Sequence, residues 1–74
     1  MWKQGTIRVM GITFQWEAKV FENPSRFGIN SGRVSKLSLR RGEKFVVNYD
    51  RGWDVKPRTI AARRAVNQIL AMYA

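Results

Sequence analysis

The residues best equipped for chemistry sit together in Asn48-Tyr49-Asp50-Arg51-Gly52-Trp53-Asp54. Seven positions hold two carboxylates, an arginine and two aromatics. Asp50 and Asp54 are near enough in sequence to meet, and paired carboxylates suit acid–base work or a hard cation. The chain has no histidine and no cysteine, which removes the commonest general base, the commonest zinc ligands and any disulfide. The other acids, Glu17, Glu22 and Glu43, are scattered. Gly28 to Gly32 fits neither a phosphate loop nor a dinucleotide fingerprint. No catalytic residue, cofactor or metal is therefore assigned, and the expectation is a binding protein rather than an enzyme. The Tyr-Arg-Trp part of the run suits a different task. Aromatics stack on a base and arginine grips a phosphate.

Charge gives the other chemical signal. Fourteen Lys and Arg oppose five Asp and Glu, for a formal net charge of +9 and a pI near 11.3. Such a field draws polyanions, whether nucleic acid, anionic lipid or an acidic protein surface.

These residues need elements to hold them. Seventy-four residues suffice for one domain, 1–74, with a modest core. Residues 3–9 read as a strand, with Gly5, Ile7 and Val9 on one face. Met10-Gly11 is a two-residue turn. Residues 12–21 alternate most cleanly, with Ile12, Phe14, Trp16, Ala18 and Val20 inward. Asn23 to Arg33 is irregular, and Phe27 and Ile29 are expected to tuck onto the core. Residues 33–40 and 43–49 give two more strands across an Arg41-Gly42 turn, with Leu37, Leu39, Phe45, Val47 and Tyr49 inward and Val46 outward. From a Thr59 cap, Ala62, Ala65, Val66, Ile69, Leu70 and Tyr73 form a helical stripe. The stripe has one available partner, the apolar sheet face. The fold class is thus α+β, a four-stranded antiparallel sheet of two hairpins with one C-terminal helix on one face. Gly52 permits the bend between strand four and the helix, and Trp53 caps the core edge.

The uncovered sheet face then carries Arg8, Lys19, Lys36, Arg40 and Lys44, with Thr6, Thr13, Gln15, Ser38 and Asn48 between them and Glu17 as its only acid. This face is the leading candidate for contacting DNA or RNA. A polar outer face is ordinary for a half-covered sheet; its single sign is not. Arg51, Lys56, Arg58, Arg63 and Arg64 form a second basic group near the helix start, where cations oppose the macrodipole. A second candidate site, for a host protein or a signalling nucleotide, comprises Arg26, Asn30, Arg33, Tyr49, Arg51 and Trp53. The same residues also suit a purely structural cluster. A homo-oligomer formed through the sheet edge or face is the third reading. No apolar run is long enough for a transmembrane helix, the start lacks an apolar signal core, and a cytoplasmic location is expected.

Trp2-Lys3-Gln4-Gly5-Thr6, Glu17 to Phe21, Phe27 to Leu37 and Tyr49 to Asp54 together resemble a family of small uncharacterised proteins of phages, prophages and conjugative elements in Firmicutes-type bacteria. The resemblance spans almost the whole chain. It implies a mobile-element setting in a bacterial cytoplasm, where small proteins regulate or package DNA or block host defence, and it implies no mechanism.

Overall fold

The computed structural model describes all 74 residues. Alternation of apolar and polar residues produces five antiparallel strands in simple sequential order: β1 (Trp2–Val9), β2 (Ile12–Val20), β3 (Val34–Arg41), β4 (Lys44–Asp50) and β5 (Trp53–Val55). One 3-10 turn (Ile29–Ser31) interrupts the β2–β3 connection, and α1 (Ile60–Met72) closes the chain. Met10 (φ 55°) and Gly11 (φ 78°) both take the left-handed backbone that a tight hairpin with matching twist requires. Thr59 Oγ1 accepts the Ala62 N–H at 3.1 Å and starts α1.

The helix lays Ala61, Ala62, Ala65, Val66 and Ile69 on the sheet. There they meet Val9, Phe14, Trp16, Ala18, Leu37, Leu39 and Val47, forming one buried cluster. Alanines on the helix let it approach closely, while the sheet supplies the volume. Gly5 lies across from Trp16, and a Cβ there would stand 3.1 Å from the indole. The missing side chain makes room for that ring, whose edge meets Tyr73 at 6.3 Å. The other sheet face is left uncovered by the helix.

Three expectations are corrected. The sheet has five strands, because the run after Asp50 folds back instead of leading straight to the helix. Arg51, at φ 58°, supplies the left-handed residue of that turn; Gly52 has no positive φ. Asn48 then pairs with Val55 and Tyr49 with Trp53. The β3–β4 turn is Gly42-Glu43 rather than Arg41-Gly42, since Arg41 pairs with Lys44 and Gly42 takes φ 62°. Finally, the β3–β4 register slips between Leu39 and Arg40, so that Leu39 faces Val47 while Arg40 faces Phe45. This β-bulge inserts Val46 and reverses the alternation beyond it. Phe45 is therefore 55 % exposed instead of buried, and Val46 packs against the core.

The irregular segment also divides. Ile29 is buried as expected, but Phe27 remains 46 % exposed.

Candidate functional site

Strand pairing arranges the uncovered face in rows. Thr6, Gln15 and Arg40 lie side by side across β1–β3, with Phe45 next on β4. The next row runs Gln4, Glu17, Ser38, Asn48. The row after that runs Trp2, Lys19, Lys36, Asp50. Arg8 and Thr13 pair beyond the first row. Four of the five candidate cations, Arg8, Lys19, Lys36 and Arg40, thus share the open face by register.

Lys44 does not. Its partner Arg41 and the bulge turn it toward the helix side, where it lines a groove of about 390 Å³ with Ile12, Phe14, Arg41 and Arg58. The basic group near the helix start separates similarly. Arg58 joins that groove, Arg51 lies at the far end of the sheet, and Arg63 and Arg64 are exposed on α1.

Two aromatics on the open face were missed by sequence reasoning. Trp2 and Phe45, each 55 % exposed, both line a shallow groove of about 340 Å³ with Glu17, Lys36, Ser38 and Asn48. A neighbouring hollow of about 630 Å³ adds Gln4, Thr6, Gln15 and Arg40. Trp2 is held in the sheet by its pairing with Lys19 and by the Val20 N–H donated to the Met1 carbonyl at 2.8 Å. Extending the first strand back by one residue would have placed Trp2 on the same parity as Gln4, Thr6 and Arg8. Phe45 carried no such signal, because the bulge inverts its face. The Arg40 guanidinium stands 5.9 Å from the Phe45 ring centroid.

Several of the second set of candidate residues make contacts within the fold, and Tyr49 links Trp53 to Phe27 and Arg26. Tyr49 is buried, and its hydroxyl donates to the Phe27 carbonyl at 2.8 Å. Trp53 meets the Tyr49 ring edge-on at 5.0 Å, as a cap on the core edge. Arg33 Nε donates to the Phe21 carbonyl at 2.9 Å. Arg26 stands over the Phe27 ring at 4.9 Å, and Asn30 takes φ 54° in the 3-10 turn. The two carboxylates also go separate ways. Asp50 pairs with Lys36 at 3.6 Å, while Asp54 accepts Asn48 Nδ2–H at 3.1 Å. No group of three or more acidic side chains converges as a metal site would require.

All 74 residues match the family described as Domain of unknown function (DUF7678). The chain belongs to that family. No curated protein and no solved structure matches it. No helix of this DUF7678 chain is long and apolar enough to cross a membrane.

What the open face offers chemically follows from its charge. Lys36–Asp50 is the single ion pair of the molecule. With fourteen cations in the chain, most of the positive charge has no carboxylate partner. Lys19 and Lys36 are even direct cross-strand neighbours, an arrangement of like charges that weakens a sheet unless an anion intervenes.

Proposed function

We propose that this chain is a non-enzymatic binding protein that holds single-stranded nucleic acid on its open sheet face. The observation supporting this most is the pair Trp2 and Phe45, two large aromatics exposed among Lys19, Lys36 and Arg40 on the face the helix leaves open. Aromatics in a basic groove stack successive bases while the cations follow the backbone. Gln4, Gln15, Ser38 and Asn48 supply hydrogen-bonding groups between them.

The width of the sheet favours a single strand over a duplex. The major groove is about 12 Å wide and admits a helix or a two-stranded ribbon. Five strands spaced about 4.8 Å apart span about 19 Å. Such a face cannot enter the groove broadside, but it offers a platform for unpaired bases. A phage or conjugative element in a bacterial cytoplasm, the setting implied by the sequence resemblance, exposes single strands during replication and transfer and gives such a protein a use.

The test compares a labelled ten-nucleotide single strand with the duplex of the same sequence. The strand should bind at least about tenfold more tightly, and Trp2→Ala and Phe45→Ala should each weaken it about tenfold, since stacking is worth about 1–3 kcal/mol per base. Both side chains are more than half exposed, so the melting temperature should be kept. Preference for duplex, or indifference to both substitutions, would overturn the proposal.

A further inference from the structure

A further groove of about 360 Å³, adjoining the open-face groove at Lys36, lies at the end of the sheet where β2, β3 and the β4–β5 turn meet the irregular segment. Lys19, Lys36 and Arg51 bring three cations to its lining, Phe21 and Phe27 two exposed rings, and no carboxylate is among the lining residues. Lys19 stands 5.3 Å from the Phe21 centroid. The buried Ser35 lies in the floor, and its carbonyl accepts the Arg51 N–H at 3.1 Å, fixing the backbone from which Arg51 projects.

The most telling feature is how firmly the backbone that carries one exposed ring is held. Phe27 donates its N–H to Ser25 Oγ at 3.1 Å and accepts from the Tyr49 hydroxyl at 2.8 Å. Ser25 in turn donates to the Gly32 carbonyl and accepts from Gly28 N–H, at 3.0 and 2.9 Å. Gly28 cannot be replaced without collision, because a Cβ would fall 2.0 Å from the Gly32 oxygen. A fixed backbone leaves Phe27 less freedom to lose when something stacks on its ring, which the Arg26 guanidinium already approaches at 4.9 Å. Beside it, the facing lysines repel each other until an anion lies between them. Asp50, on Lys36, is the only carboxylate paired with any of the three cations.

We infer that this groove binds a nucleoside phosphate, with Lys19, Lys36 and Arg51 on the phosphate and Phe21 and Phe27 against the base. Its volume is that of a small-ligand site. The same chemistry is offered by a free nucleotide and by the phosphorylated end of a strand. The inference shares Lys19 and Lys36 with the open-face reading but not Trp2, Phe45, Arg8 or Arg40; Phe27 and Arg51 belong to it alone, so through them it can fail while the open-face reading survives, and the reverse.

The experiment is calorimetric titration of the full chain with AMP, adenosine and inorganic phosphate. It is joined by a pair of short oligonucleotides that differ only in a 5′-phosphate. AMP should bind at least about tenfold more tightly than adenosine or phosphate alone. Phe27→Leu and Arg51→Asn should each reduce AMP affinity at least about fivefold, asparagine being chosen because it tolerates the left-handed backbone, and Arg40→Gln should not. Lys19→Gln repeats the test at a regular strand position should either loop variant melt early. Tighter binding of the phosphorylated oligonucleotide identifies a strand end as the ligand; tight AMP with no such preference identifies the free nucleotide. AMP binding no tighter than phosphate, or unaffected by Phe27→Leu and Lys19→Gln, overturns the inference.

Discussion

Salt dependence separates a built nucleic-acid face from the general attraction of a +9 chain. Four cations, Arg8, Lys19, Lys36 and Arg40, share the open face. If each neutralises one phosphate of a single strand, the plot of log affinity against log salt should have a slope of about −2.8, at about 0.7 per contact. Raising salt from about 50 to 200 mM would then weaken binding about 50-fold. Replacing Arg8 and Arg40 together with Gln removes two contacts. The slope should flatten to about −1.4, and the same salt step should cost only about sevenfold. The control is Lys44→Gln with Arg58→Gln, which removes the same net charge from the helix-side groove. It should leave the slope within about 0.3 of the parent, because the Debye length of about 10 Å screens charges on the opposite side of the sheet. Fluorescence anisotropy of a labelled strand at four or five salt concentrations suffices. Equal flattening by both double variants would refute the reasoning, showing that charge acts without regard to place.

Three further outcomes concern the scaffold. Gly28→Ala should lower stability by about 3 kcal/mol or more, read by thermal denaturation, because the Gly32 carbonyl occupies the space a Cβ needs. Tyr49→Phe deletes the hydroxyl that holds the Phe27 carbonyl and should cost about 1–2 kcal/mol in urea melts, with amide exchange quickening in residues 25–32 first. Thr59→Ala should cost about 1 kcal/mol and Thr59→Ser much less, since the hydroxyl that accepts Ala62 N–H is what matters.

Much of the architecture was legible because its signals are local. The clean alternation of Ile12 to Val20, the Met10-Gly11 turn, the Thr59 cap and the Ala62 to Tyr73 stripe each lie within a few residues of what they determine. Sheet and helix periods differ, so the strands and the helix could be told apart, and the helix had one apolar face to cover. The excess of positive charge is likewise a property of composition. The short β5 strand was missed because it depends on Arg51, an ordinary residue, adopting a left-handed turn usually assigned to glycine.

The sequence by itself determined that there is one antiparallel sheet, one helix, a core between them and a surplus of cations. Only the tertiary structure decided which cations act together. Lys19, Lys36 and Arg51 come from β2, β3 and the β4–β5 turn and meet solely through strand register. Phe45 changed faces, and Lys44 left the open side, because one inserted residue reverses every side chain beyond it. Alternation can be read along a strand only while the strand is regular. A bulge is fixed by pairing with a distant neighbour, and no local pattern records it.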